Sequence, residues 1–166
     1  MTLASTLKLW RCAKVGARVQ VEGSVWIVGE GRIEVGDDVR HDGRAAPIEL
    51  QTGRGALLRI GAGCVLEAGV SIEAQDHVEL GPRCLLRPFA KVMDNQFHLV
   101  ASDHRRRRPP SSAVRLGAGV ELGAHSIVLP GAALEAGVTL GPGVVIGRHV
   151  RAGLTLAGAP PRAAPP

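Results

Sequence analysis

Between residues 94 and 113 the chain gathers its densest polar chemistry. The run reads Asp94-Asn95-Gln96-Phe97-His98-Leu99, then Ser102-Asp103-His104, four consecutive arginines (Arg105, Arg106, Arg107 and Arg108), Pro109, Pro110 and two serines. Histidine is the side chain that titrates near neutrality. It can therefore take a proton from an attacking hydroxyl and return it to a leaving group. Asp94, or a backbone carbonyl, could hold the His98 ring so that its other nitrogen faces a substrate. The arginine run reads in two ways, as a solvated basic face or as a grip on phosphate carried by a substrate or coenzyme.

The elements that must position this segment show themselves by period. An aliphatic residue returns every sixth position at Leu116, Leu122, Val128, Leu134, Leu140 and Ile146. The same beat runs through Val15, Val21, Ile27 and Val35, and again through Ile60, Leu66, Ile72, Leu80, Leu86 and Val92. A helix would scatter these side chains around its surface, and a single strand would alternate at every second residue. Six is the period of a short strand, a corner and a repeat, which is the mark of a parallel β-helix. Four residues after each beat stands a second small or β-branched row, among them Val39, Cys64, Val70, Cys84, Ala90, Ser126, Val138 and Val144. The spacing predicts an all-β solenoid over 15–157, a short helical cap over 1–14, and a Pro-rich tail at 158–166.

The beat breaks in four places. Two-residue slips follow Ile27 and Ile72 and read as slack at a corner. The stretch 41–57 retains only Ile48 and Leu50 of an apolar pattern, so it reads as a distorted or partly looped coil with a decorated surface. No hexad threads the run of arginines and prolines, so about 94–113 must leave the coil as an extruded loop. In the tail after Val150, proline is expected to end strand pairing.

Composition agrees with a narrow interior. Of 166 residues 45% are hydrophobic, yet there are two Trp, two Phe and no Tyr. The charge of +5 favours anionic ligands. No aromatic residues interleave with the basic ones, so no nucleic-acid partner is expected. Cys64 and Cys84 sit on the inward row and read as core packing; Cys12 precedes the first coil. No apolar stretch is long enough to span a membrane as a helix, the N-terminus is too charged for a signal sequence, and the cytoplasm is the expected compartment. His41, His125 and His149 each stand alone in a regular stretch and read as surface or corner residues. His77, beside Asp76 at a slip, is read the same way.

In these motifs the chain resembles the hexapeptide-repeat acyltransferases, and within them the O-acetyltransferases of sugars and polysaccharide building blocks. Asp94-Asn95-Gln96-Phe97-His98 is similar to the family's Asp-x-x-Phe-His element, whose histidine acts as base. The stretches 120–131 and 140–148 resemble its C-terminal coils, and Gly158-Ala159-Pro160-Pro161-Arg162 resembles its Gly-Asn-Pro-Ala-Arg tail. Three positions depart from the pattern. Glu121 stands where the family often has Trp, Ala159 replaces asparagine, and Pro142 has no N–H to give the pantetheine arm.

The resemblance implies a left-handed β-helix assembled as a homotrimer, with acetyl-CoA as co-substrate in the groove between subunits and no metal. It implies His98 as general base, with Asp94 or a backbone carbonyl to orient its ring and His104 in reserve. Asn95, His104, Arg105 and Arg106 would meet a sugar or nucleotide-sugar acceptor. Ala124, Pro142, Gly147, Arg148 and Arg162 would meet the coenzyme. The backbone N–H groups of Gly123 and Ala124 are the expected oxyanion donors. Two other functions fit such a solenoid: a non-catalytic assembly module, and a γ-type carbonic anhydrase. The latter needs three converging histidines.

Overall fold

The computed structural model describes residues 8–96 and 110–158, and the backbone alone of Arg162–Ala163. The described chain winds into a three-sided parallel β-solenoid. Leu116 pairs with Leu134, Glu121 with Thr139 and Ile127 with Val145, so one regular coil is 18 residues, or three hexads.

On the first face the strands Lys14–Val15, Arg32–Val35, Leu57–Ile60, His77–Leu80, Val114–Leu116, Ala133–Leu134 and His149–Val150 stack in that order. The second and third faces form one continuous sheet, because the strand Arg40–Thr52 runs through the corner between them. Its start pairs with Val65–Leu66, and Leu85–Leu86, Glu121–Leu122, Thr139–Leu140 and Thr155–Ala157 follow on the second face. Its end pairs with Ser71–Ala74, and Lys91–Met93, Ile127–Val128 and Val145–Ile146 follow on the third. Strand Gln20–Gly29 pairs along its length, with one register shift between Gly23 and Val25.

Both predicted rows face inward. Leu66, Ile72, Leu86, Leu122 and Val128 from the beat are fully buried, as are Val39, Cys64, Val70, Ala90, Val120, Ser126, Val138 and Val144 from the second row. Each buried Leu or Ile contributes about 1.5–3 kcal/mol relative to an exposed one. Neither inward cysteine is free for surface chemistry. Cys64 Sγ donates to the Gly81 carbonyl and Cys84 Sγ to that of Gly117, both at 3.2 Å.

Three local expectations are corrected. The stretch 41–57 is not a looped coil: Arg40–Thr52 is an unbroken strand with Ile48, Leu50 and Thr52 buried. It crosses the corner because Gly43 and Gly23 lie against each other, and a Cβ on Gly23 would come within 2.1 Å of the Gly43 carbonyl carbon. His41 is accordingly no surface residue; it is buried in the inward row between Val21 and Leu66. Nor does proline end pairing in the tail, since Arg162–Ala163 returns antiparallel to Thr155–Ala157.

The two slips are not slack either. Each adds one inward residue on either side of the corner between the third and first faces. After Ile72 these are Ala74 and Val78, which flank the turn at Gln75 and Asp76; after Ile27 they are Gly29 and Ile33, the register partners of inward Thr52 and Leu58 on the coil between. Of the cap, the described part is a turn at Leu9, Trp10 and Arg11 that places buried Leu9 over the open end of the core, with Arg11 bonded to the Gly29 carbonyl at 2.9 Å. The first coil begins at Lys14.

Candidate active site at the Asp94 corner

Met93 pairs with Glu73, so the next residue, Asp94, occupies the inward position that Ala74 holds one coil below. A carboxylate in an aliphatic core needs donors on both oxygens, and the corner supplies them. Oδ1 accepts the backbone N–H of Gln75 at 2.8 Å, and Oδ2 accepts those of Asp76 at 2.7 Å and His77 at 2.8 Å. Asn95, itself buried, donates its side-chain amide to Oδ1 at 3.3 Å. Four donors match the acceptor capacity of a carboxylate. Asp94 is therefore built into the coil below, and Asn95 is turned onto it.

The same residue closes the neck of the segment. Ser112 donates its N–H to the Asp94 carbonyl at 2.8 Å, and Gly131 donates to the Ser112 carbonyl at 2.9 Å. Exit and return are thus fastened to each other and to the next coil. His98, His104, Arg105 and Arg106 lie outside the described residues.

The expected coenzyme residues fall into three groups. Ala124 and Pro142 lie one above the other on the corner between the second and third faces, where the Gly143 N–H bonds the Ala124 carbonyl at 2.8 Å. His125 beside them has φ 57° and stacks on Phe89, centroids 5.1 Å apart. Gly147 and Arg148 lie at the other end of Val145–Ile146, on the corner between the third and first faces; a Cβ on Gly147 would press on Leu129 at 3.2 Å, and Arg148 is exposed. Arg162 belongs to the last strand, at the end of the second face. Of the two expected oxyanion donors, Gly123 is corrected: its N–H is already engaged by the Leu140 carbonyl at 2.7 Å. Glu121, at the position of the family's Trp, bonds Arg87 Nε at 2.9 Å.

The outer row of the third face holds polar groups that the hexad reading passed over. Glu49, Ser71 and Lys91 are register neighbours, and Ser71 donates to Glu49 at 3.4 Å. Next to them Glu73 Oε2 is buried without a hydrogen-bond partner. Burial holds the Glu73 carboxyl above its ordinary range; Lys91 draws it down, and Glu49 and Asp94 push it up. The signal available in sequence was that these residues occupy the outward positions beside the beat on adjacent coils.

On the first face, His77 lies 3.6 Å from Glu79, and His149 is bonded to Glu135 at 2.8 Å. Among the described residues no group of three His, Cys, Asp or Glu is placed to hold a metal ion, and no helix is long and apolar enough to cross a membrane.

No protein-family model matches the sequence, and no curated protein matches it. Solved structures do. The chain is similar to a variant of AntD, an N-acyltransferase from Bacillus cereus in complex with dTDP-4-amino-4,6-dideoxyglucose and coenzyme A, with TM-score 0.71 and 18% identity over 98% of this chain and 88% of that one. It is similar to a maltose O-acetyltransferase from Clostridium difficile 630, with TM-score 0.57 and 19% identity over 91% and 67%. It is also similar to NeuO, a polySia specific acetyltransferase, with TM-score 0.65 and 18% identity over 91% and 75%. At these identities the likeness is one of fold, the hexapeptide-repeat β-solenoid.

Proposed function

We propose that this chain is an acyl-CoA-dependent O-acyltransferase that moves an acetyl group from acetyl-CoA to a hydroxyl of a sugar, nucleotide sugar or polysaccharide precursor. The observation that carries the proposal is the neck at Asp94. A bare scaffold gains nothing from a buried Asp94 whose carboxylate pins the chain to the coil below while its backbone carbonyl holds Ser112 on the far side of a segment rich in His and Arg. The similar solved proteins, acyl- and acetyltransferases among them, favour the same reading.

In this reading His98 takes the proton as the acceptor oxygen attacks the thioester carbon. The tetrahedral intermediate then expels the coenzyme thiolate, which receives that proton, and the acetyl ester remains on the acceptor. Asp94 acts through the backbone, fixing where the segment leaves the coil. Arg148 and Arg162 are assigned to the coenzyme phosphates, and Ala124, Pro142 and Gly147 to its pantetheine arm. Asn95, His104, Arg105 and Arg106 are assigned to the acceptor side. The reading carries with it a cytoplasmic homotrimer with the coenzyme between neighbours.

The test is release of free thiol from acetyl-CoA during a screen of nucleotide sugars and simple glycosides. His98→Ala should abolish release and leave the oligomer, measured by light scattering, unchanged. Undiminished turnover would remove His98 from the chemistry.

A further inference from the structure

The first face carries a ladder of charge that stops one rung early. Its central outward row, coil by coil, reads Lys14, Glu34, Arg59, Glu79, Arg115, Ala133 and His149. From Lys14 to Arg115 the sign alternates at every step. Arg59 bridges its two neighbours, reaching Glu34 at 3.2 Å and Glu79 at 3.5 Å. After Arg115 the alternation calls for a carboxylate, and the chain supplies Ala133.

Beside that small side chain lies a groove of about 310 Å³, with Leu116, Leu134 and two glycines among its apolar lining and Glu79, Arg115, Glu135 and His149 as its charged or titratable lining. Arg115 and His149 face each other across it from roughly 10 Å, two strand spacings. Among the described residues no side-chain hydrogen bond or ion pair holds Arg115 on either side. The far wall is braced: His149 Nε2 meets Glu135 Oε1 at 2.8 Å, and Glu135 Oε2 accepts the Ala152 N–H at 2.9 Å. Arg151 adds a further positive charge close to Glu135. The groove also adjoins the Asp94 corner, since Arg115 follows Ser112 by three residues and is the second residue of Val114–Leu116.

We infer that this groove is a binding site for an anionic group, a carboxylate or phosphate on a small polar ligand, seated over Ala133 against Arg115. A planar guanidinium with an open side is suited to a two-point grip on such a group. The ligand's charge takes the place of the rung that the chain omits. Only in taking the ligand to be the acceptor, which would make that acceptor an anionic sugar, does this rest on the acyl-transfer reading.

The experiment is binding to the full chain without acetyl-CoA, by titration calorimetry, using glucuronate and glucose 6-phosphate as anionic probes and glucose as the neutral control. Both anions should bind at least about tenfold more tightly than glucose, the scale of one charge-assisted contact. Ala133→Glu should abolish that preference by supplying the missing carboxylate internally, with an unfolding midpoint equal to or above that of the parent. Arg115→Gln should reduce anion affinity about tenfold and leave glucose unaffected. Equal affinity for glucose and the anions, or undiminished anion binding by Ala133→Glu, would overturn the site. Since no coenzyme is present, neither result depends on whether His98 is the base.

Discussion

Asp94 Oδ2 accepts the backbone N–H of His77 at 2.8 Å, so a side chain just past the strand Lys91–Met93 is tied to the coil beneath it. With Gln75 and Asp76 also donating, three backbone N–H groups at one corner depend on a single buried carboxylate. Asp94→Ala strands all three, and an unsatisfied buried donor costs about 1–3 kcal/mol. Urea unfolding should therefore show a loss of at least about 3 kcal/mol. Asp94→Asn keeps the shape and one acceptor oxygen and should lose about 1–2 kcal/mol, the difference between charged and neutral acceptors. An unfolding curve that does not move in Asp94→Asn, with turnover reduced, would return Asp94 to the role of partner to the imidazole.

His41 presents the opposite situation, a buried polar ring with neither nitrogen hydrogen-bonded. Desolvation lowers its pKa from 6.5 to about 4, against a weaker pull from the Gln20 backbone. The folded state therefore holds this ring neutral where the unfolded chain protonates it. As pH falls from 6.5 towards 4 the unfolded state binds the extra proton, and up to about 3 kcal/mol of stability is lost, levelling below pH 4. His41→Leu, matching Leu66 beside it, should stabilise by about 1–3 kcal/mol at pH 7, with the advantage widening at pH 5. Parallel stability curves for parent and variant between pH 7 and 4.5 would show that some other group carries the acid sensitivity.

These two residues mark where the sequence could and could not be read. The inward rows were legible because one rule, an aliphatic side chain at every sixth position, is imposed by the narrow core on every regular coil. At the corner between the third and first faces a second rule takes over. Ile72 and Ala74, then Val78 and Leu80, alternate at period two, so what reads in hexads as a slip is an extra inward pair. Asp94 sits on that shorter period, which is why its burial was hidden while its place at the segment's root was visible. His41 falls six residues after Val35, on the beat, yet a lone imidazole in a regular stretch reads as a surface or corner residue. The ladder on the first face was missed because Glu34, Arg59, Glu79 and Arg115 become neighbours only after the coils are stacked in register.

The Glu73 carboxylate, half-buried near Glu49 and Asp94, is held above the ordinary carboxylate range by burial. For an acid raised on folding, the folded state retains its proton after the unfolded chain has lost it. Stability is therefore full below the unfolded value and falls as pH rises through the folded one. Glu73→Gln should raise the thermal midpoint at pH 7 and leave it nearly unchanged at about pH 3, where both states of the parent are protonated. A variant less stable than the parent at pH 7 would mean that Lys91 outweighs burial at this site.

Direct transfer to the acceptor also makes a prediction about the thiols. A covalent acyl-enzyme would need a thiolate open to the coenzyme, and the three cysteines are poorly suited to supply one. Burial pushes the Cys12 thiol up to about 11, and the adjoining Cys64 sulfur together with burial raises that of Cys84. Cys64 and Cys84 are closed inside the coil, each donating to a carbonyl. Intact-mass measurement after mixing with acetyl-CoA should find no acetyl adduct on the protein. Cys12→Ala, Cys64→Ala and Cys84→Ala should each keep turnover within about twofold, with the inward pair losing roughly 1 kcal/mol of stability to the small cavities left behind. An acetyl group found on one of these sulfurs, lost together with turnover in the matching variant, would replace direct transfer by a two-step route.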